Sequence, residues 1–256
     1  MVADGKPTEW KTPLKYYDEK SKLQFAISND LKNMYFCIRA TEKETQTKIL
    51  RAGLQLWIDT TGNNEHSIGV LFPLSSSTIK STNKEQEPQI RVKSPDVSGF
   101  KNRFLNGYKE MELSGFKTGI NGIGPINSKW GIVTSINWDS AEIMTYEAII
   151  PFNTFYKDSI TVHDSLKLMG VSLVLNGLTM PETKHEDTGG GGSRGGGGMH
   201  GGGGMRGGGG GGHRGGGTSG GGGYQGSNYL YEKNTIKKIF QLCGAKEKPS
   251  TVEYVR

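Results

Sequence analysis

The sequence lacks the features that would assign it at once to several common classes of protein. It has only two cysteines and no CxxC pair, so neither a disulfide framework nor a structural zinc site is indicated. No run approaches the ~18 apolar residues that a transmembrane helix requires. The motif G-x-S-x-G occurs only where glycine is heavily repeated, at residues 191–195 and 217–221. H-E-x-x-H is missing, and no cysteine–histidine arrangement matches a known signature. We therefore expect a non-catalytic protein, although the geometry of a catalytic carboxylate pair would leave no trace in the sequence.

The two cysteines and the N-terminus bear on the cellular compartment. Cys37 and Cys243 both lie in apolar, strand-like segments, which favours buried thiols. A disulfide between them stays open at this point, because it requires neighbouring strands. Residues 1–5 contain no basic and apolar export signal. The chain is therefore either cytosolic or a mature form whose signal has been removed.

Charge is neither strong nor clustered. The formal net charge is +6, and the basic residues are scattered among aspartate and glutamate, apart from three arginines at 194, 206 and 214. No basic stripe is interleaved with aromatic residues, so a nucleic-acid partner is not expected. The hydrophobic share of 33% is low. Much of that dilution comes from a single glycine-rich tract.

This tract spans residues 189–223, of which 25 of 35 are glycine. It cannot bury apolar surface, and glycine loses more backbone entropy on ordering than any other residue, so we expect it to be disordered. Apolar sequence resumes beyond it, and a strand there would have to return to the same sheet. We therefore predict one β-sandwich domain, formed by residues 1–188 together with 224–256, with the tract as an insertion before the last strand.

The segment 54–59 gives the clearest structural signal in the chain. Its apolar residues occur at every second position and are Leu54, Leu56 and Ile58. This alternation predicts a strand with one face in the core. Trp57 would lie on the opposite, more polar face with Gln55 and Asp59. Residues 59–64, Asp-Thr-Thr-Gly-Asn-Asn, then predict a turn that ends the strand.

Similar patterns predict a series of short strands along the rest of the chain. They fall at 22–27, 34–40, 68–74, 89–93, 109–116, 129–139, 142–151, 166–176 and 235–242. For the last segment a short amphipathic helix is the alternative, and the strand is favoured. Residues 152–156 are consistent with one helical turn, 41–48 with a polar connection, and 119–125 with no regular element. Many short strands separated by turns indicate an all-β protein with an antiparallel β-sandwich.

Several of these segments together resemble a known family. They are Asp4-Gly5 with Trp10, Asn29-Asp30 with Asn33-Met34-Tyr35, Gly53 to Asp59, Tyr146-Glu147-Ala148-Ile149-Ile150-Pro151, and Met169 to Asn176. In this order and spacing they resemble family 9 carbohydrate-binding modules and the related DOMON-type domains. The resemblance implies a jelly-roll-like β-sandwich, usually exported, that binds sugars in some members and haem in others. The glycine-rich tract has no counterpart in this pattern.

The tryptophans are the natural candidates for sugar binding, because an aromatic face can pack against the C–H face of a pyranose. Trp130 and Trp138 share the apolar face of their predicted strand, which favours the core. The resemblance implies that Trp10 seals the edge of the sandwich. Trp57 is the better platform, with Gln55 and Asp59 as polar contacts. A loop covering that face would remove it from this role.

Two groups of residues are weak candidates for metal binding. Asp59 and Asn63, with Asn64, offer oxygen ligands for calcium, but their spacing differs from that of an EF-hand and favours a plain Asx turn. Methionine and histidine in the tract could bind copper or another soft metal: Met199, His200, Met205 and His213. A solvated low-complexity loop is favoured there.

Haem would require a methionine paired with histidine or lysine as axial ligands. Met34, Met144 and Met169 lie in predicted strands, and His66 and His163 lie near strand ends. No pair can be selected, and buried methionines usually fill cores. We therefore expect no cofactor, with calcium and haem as alternatives.

The sequence thus predicts a non-catalytic, extracytoplasmic carbohydrate-binding module that takes a polysaccharide or oligosaccharide. A structural or adhesion-type interaction domain without sugar binding is the first alternative, and a haem- or metal-binding DOMON-type domain is the second. The sequence does not name the particular ligand or the oligomeric state.

Overall fold

The computed structural model describes residues 1–63, 65–74, 101, 107–180 and 228–243. Within these residues eleven β-strands form two antiparallel sheets. The two sheets pack against each other around one hydrophobic core. The all-β antiparallel sandwich predicted from the sequence is confirmed.

The first sheet has five strands in the order β1-β2-β3-β9-β8. Their bounds are Tyr16–Asp18 (β1), Leu23–Asn29 (β2), Asn33–Ala40 (β3), Val133–Trp138 (β8) and Met144–Pro151 (β9). The second sheet has six strands in the order β11-β10-β4-β5-β6-β7. Their bounds are Leu54–Asp59 (β4), Ile68–Phe72 (β5), Glu110–Ser114 (β6), Gly122–Pro125 (β7), Leu168–Leu175 (β10) and Asn234–Gln241 (β11).

The core lies between the inner faces of the sheets and follows the period of two seen in the sequence. Leu54, Leu56 and Ile58 on β4 are each completely buried, as predicted. Phe72 and Tyr146 meet across the sandwich with their ring centroids 6.0 Å apart. Alternation therefore indicated correctly which residues of β4 point inward, and burial of these side chains joins the two sheets.

The segment predicted as a polar connection is instead an α-helix, α1, which spans Lys43–Ala52. Its buried residues include Gln46, whose polar side chain had favoured a loop in the sequence prediction. The Gln46 amide donates to the carbonyl of Ala40 at 2.9 Å, and its oxygen accepts from Trp138 Nε1 at 3.0 Å. Tertiary hydrogen bonds thus allow a polar helix to be buried.

Two further predictions about segment boundaries were wrong. Residues 122–125 form β7, which pairs with β6 from Glu110 to Leu113, although the glycines there indicated no regular element. The strand predicted from residue 129 begins at Val133, because a turn closes first, with the Gly131 amide donating to the Ser128 carbonyl at 3.0 Å. The strand predicted at 89–93 lies outside the described residues.

The last strand, β11, was predicted correctly and pairs with β10 along its whole length. Before it, a short helix, α2, spans Asn228–Tyr231. The Leu178 amide donates to the Leu230 carbonyl at 2.8 Å, so the two ends of the long connection meet. Residues 189–223 lie outside the described residues.

Lys48 of α1 binds the segment that leads from α2 into β11. The lysine is fully buried, and its ammonium group donates to the carbonyl of Glu232 at 2.7 Å and to Asn234 Oδ1 at 2.6 Å. It also lies 4.1 Å from the centroid of the Tyr229 ring. Burial lowers the pKa of Lys48 to about 8, against the opposing field of Glu232. The two hydrogen bonds and the aromatic ring therefore replace the water that would otherwise surround the ammonium.

The two cysteines are both buried and are not bonded to each other. Cys37 lies on β3 in the first sheet, whereas Cys243 follows β11 in the second. Across the described ranges no helix is long and apolar enough to cross a membrane.

The N-terminal segment lies across the outer face of the first sheet and is held there by Glu147 of β9. One carboxylate oxygen accepts from the backbone amides of Asp4 and Gly5, at 3.1 and 2.8 Å. The other accepts from Trp10 Nε1 at 2.9 Å. Gly5 has a φ of +75°, and a Cβ atom there would lie 2.5 Å from Cβ of Asn137. Only glycine fits this approach.

Burial raises the pKa of Glu147, while the three donors oppose that effect. Because the carboxylate is 2% exposed and accepts from backbone and indole donors, it pairs with the N-terminal segment. Glu147 thus serves to fix the N-terminal segment to the sheet.

We predict that Glu147→Ala destabilises the fold by about 3 kcal/mol, because it leaves three donors without an acceptor in a buried site. Urea unfolding measures the change. Glu110→Ala, which removes an exposed carboxylate from β6, is the control and should stay within about 0.5 kcal/mol of the parent. Equal stability of the two variants would contradict the anchoring role of Glu147.

Candidate ligand-binding face around Trp57

The face predicted to bind a ligand is the outer face of the second sheet. Trp57 lies on β4, which is third in the six-stranded order and therefore rigidly held between β10 and β5. Ser172 of β10 and Gly69 of β5 lie directly opposite Trp57 on its two sides. Lys237 of β11 lies opposite Ser172. We call this row of Lys237, Ser172, Trp57 and Gly69 the Trp57 row.

The indole of Trp57 is partly exposed, but it is not bare. A Cβ atom at Gly69 would lie 2.5 Å from Cζ3 of Trp57, so the indole covers the glycine backbone. The imidazole of His66 stacks on the indole, with ring centroids 4.9 Å apart and planes inclined by 6°. The His66 imidazole therefore covers part of the Trp57 indole, and another part faces solvent.

Gln55 lies two residues away on the same face of β4. Its Oε1 accepts from Trp57 Nε1 at 3.2 Å, which satisfies the polar edge of the indole and fixes its orientation. Gln55 is partly exposed, as is Trp57. The sequence prediction that these two residues share the outward face agrees with the structure.

Asp59, the third predicted contact, is 1% exposed and forms the turn after β4. Its carboxylate accepts from the Thr61 amide at 2.8 Å, from the Thr61 hydroxyl, and from the Glu65 amide at 3.3 Å. Burial acts to raise the Asp59 pKa, but these hydrogen bonds outweigh it, and the pKa lies below its ordinary value. Asp59 therefore forms an Asx turn, which is the structure that the sequence favoured.

The same contacts bear on the predicted calcium ligands. Both Asp59 oxygens are engaged by the turn, and Asn63 is an exposed residue whose amide donates to Thr61 Oγ1 at 3.3 Å. In the described part of the chain, no three histidine, cysteine, aspartate or glutamate side chains gather as a metal site would require. The remaining candidates, Asn64, Met199, His200, Met205 and His213, lie outside the described residues.

The residues considered for haem lie in two separate environments. Met34, Met144 and Met169 are all buried in the core between the sheets. His66 and His163 are both exposed. The three methionines thus contribute to core packing.

Of the other tryptophans, Trp138 occupies the core position that the sequence suggested, whereas Trp130 lies in the turn before β8 and not on the apolar face of that strand. Trp138 is 9% exposed and belongs to the core. Trp130 is partly buried against the core, and the ammonium of Lys129 lies 4.7 Å from its ring centroid. Trp10 is held on the first sheet by Glu147. Trp57 is thus the tryptophan on the outer face of the second sheet.

Sequence reasoning missed two neighbours of Trp57. The stacking of His66 depends on the length of the connection between β4 and β5, for which no sequence signal exists. Lys237 could have been placed on the outer face, because Ile236 and Phe240 are apolar and lie on the other side of β11. Its position beside Ser172 and Trp57 depends on the pairing of β11 with β10, which the sequence could not specify.

The local field around His66 is positive. Burial is the largest effect that lowers the pKa of His66, and Lys233 and Lys237 lower it further. Both lysines are exposed; Lys233 immediately precedes β11, and Lys237 lies in the middle of that strand. The stacked imidazole is therefore held in its neutral form at neutral pH.

Comparison with known proteins adds no relative: no family model, no curated protein and no solved structure matches this chain.

We predict that the pKa of His66 lies below its ordinary value of about 6.5. Because the folded state lowers this pKa, the contribution of His66 to stability is present above that ordinary value. It is lost as the pH falls through the lowered pKa. A proton NMR titration of the imidazole signals measures it.

Lys237→Gln should raise the His66 pKa, because it removes one of the two charges that lower it. Lys238→Gln is the matched control, since the Lys238 ammonium lies on the other side of the strand, 5.6 Å from the Tyr16 ring centroid. A His66 pKa at or above its ordinary value in the parent protein would be incompatible with the stacked, positively surrounded imidazole.

Proposed function

We propose that this chain is a non-catalytic carbohydrate-binding module that contacts a polysaccharide or oligosaccharide on the outer face of the second sheet, around Trp57. The observation that carries the proposal is a partly exposed indole on a central strand, with Gln55 beside it. An indole face packs against the C–H groups of a pyranose, and an amide side chain can exchange hydrogen bonds with its hydroxyls.

The contacts between the segments that resemble family 9 carbohydrate-binding modules lend further support. Asp4-Gly5 and Trp10 come from the start of the chain, and Glu147 comes from the Tyr146–Pro151 segment. They meet in one set of hydrogen bonds. Sequence elements far apart in the chain therefore share one structural purpose, as expected of a family pattern. Export from the cytoplasm is part of the same proposal.

In this binding mode, His66 competes with the sugar for the Trp57 indole. Its imidazole occupies part of the indole surface that a sugar ring would use. An aromatic pair contributes about 0.5–1.5 kcal/mol beyond the area it buries, so displacing the imidazole would weaken saccharide binding by about tenfold at most. His66 is exposed and lies outside the strands, so it can move without disrupting the sheet.

We predict that Trp57→Ala reduces the affinity for a bound saccharide by about tenfold or more, because it removes the apolar platform. Isothermal titration against a panel of soluble cell-wall polysaccharides measures this. Trp130→Ala is the matched control, since Trp130 is also partly exposed but packs on the core elsewhere. Saccharide binding that Trp57→Ala leaves unchanged would remove the site from this face.

His66→Ala should strengthen saccharide binding several-fold, because the indole face is then open before the ligand arrives. The same titration measures the gain. Weaker binding in this variant would show that the imidazole contacts the sugar directly. If no saccharide in the panel binds the parent protein, the interaction-domain alternative replaces the carbohydrate-binding function.

A further inference from the structure

Positive charge is concentrated at one end of the Trp57 row. Lys237 lies two strands from Trp57, a lateral distance of about 10 Å, because neighbouring strands are spaced about 4.8 Å apart. Lys237 is exposed and points to the outer side, since its neighbours Ile236 and Phe240 are buried. Lys233, at the start of the same segment, is also exposed.

The acidic residue nearest in sequence to Trp57 does not neutralise these lysines. Asp59 is buried, and its carboxylate is occupied by the Thr61 and Glu65 donors of its own turn. Glu112 also lies on the outer face, but it belongs to β6, opposite Leu71, on the far side of Trp57 from β11. The exposed Glu232 adjoins Lys233 in the chain, so the positive charge on the β11 side of the indole is carried mainly by Lys237.

A buried serine, Ser172, lies between Lys237 and Trp57 on the sheet. Ser172 is 1% exposed, and its hydroxyl has no hydrogen-bond partner among the described residues. A buried hydroxyl without a partner is costly, so such groups are uncommon in folded proteins. Ser172 lies between Trp57 and Lys237 in the row, but its hydroxyl oxygen is shielded from solvent and is therefore not a contact for a ligand on the surface.

We propose that the Trp57 row binds acidic saccharides: the sugar ring packs on Trp57, and its anionic substituent is directed toward Lys237. The inference rests on the carbohydrate-binding function proposed above and specifies its ligand class. A lysine stem can span most of the lateral distance to the indole, so a carboxylate or sulfate ester on the bound sugar can meet the ammonium. Lys233 contributes a second positive charge, which attracts an extended anionic chain at longer range.

Oligogalacturonate and neutral dextran oligosaccharide of similar length are the decisive probes, compared by titration with the full chain at low ionic strength. Oligogalacturonate should bind at least tenfold more tightly, and the difference should shrink as salt is added. Equal affinity for the two probes would overturn the acidic-ligand inference while leaving carbohydrate binding intact. Absence of binding to either probe, and to the wider polysaccharide panel, would overturn the proposed function itself, and this inference with it.

Lys237→Gln tests the role of the lysine without disturbing the fold, because the side chain is exposed. It should weaken oligogalacturonate binding by about three- to tenfold and leave dextran binding unchanged. Lys238→Gln is the matched control, with the same charge change on the opposite side of the strand. An equal loss of affinity in both variants would indicate attraction to net charge alone and would overturn the inference.

Two further probes define what is recognised. Dextran sulfate tests whether a sulfate ester can replace the carboxylate, and binding that Lys237→Gln weakens would support recognition of the anionic group in either form. Poly-glutamate and a single-stranded oligonucleotide carry negative charge without a pyranose. Binding of either as tight as that of oligogalacturonate would overturn the inference, because the sugar ring would then contribute nothing.

Discussion

The hydrogen bonds accepted by the Glu147 carboxylate are the interactions on which the arrangement of the first sheet and its N-terminal covering segment depends. The carboxylate lies on the outer side of that sheet, where a buried charge would be strongly unfavourable without partners. The amides of Asp4 and Gly5 and the indole of Trp10 supply those partners. The N-terminal segment therefore has one well-defined position, and the sheet has a covered outer face. The second sheet keeps an outer face that carries Trp57, with the indole partly exposed.

This difference between the sheets explains how much could be learned from the sequence. Alternation in β4 indicated both the core side, with Leu54, Leu56 and Ile58, and the outward position of Trp57. Alternation reports the direction of a side chain, because successive residues of a strand point to opposite faces. It does not report what covers the outward face, so the stacking of His66 and the proximity of Lys237 could not be predicted.

The missed helix has a related cause. The sequence of α1 contains two threonines, two lysines and one glutamine among its ten residues, and such a composition indicates solvent exposure when read alone. In the structure Gln46 and Lys48 are buried because carbonyl groups from other segments accept their hydrogen bonds. Those acceptors come from the end of β3 and from the segment after α2. Long-range partners of this kind leave no local pattern, whereas apolar alternation does.

The hydrogen bond from Leu178 to Leu230 has a consequence for how this protein can change over evolutionary time. It joins Leu178, which follows β10, to Leu230, which precedes β11, so the chain leaves and re-enters the second sheet at one place. The entropy of closing a loop grows slowly, by about 0.6 kcal/mol for each doubling of its length. Insertions and deletions between these two residues are therefore inexpensive for the sandwich, whereas a change of one residue within β10 or β11 would reverse which side chains face the core.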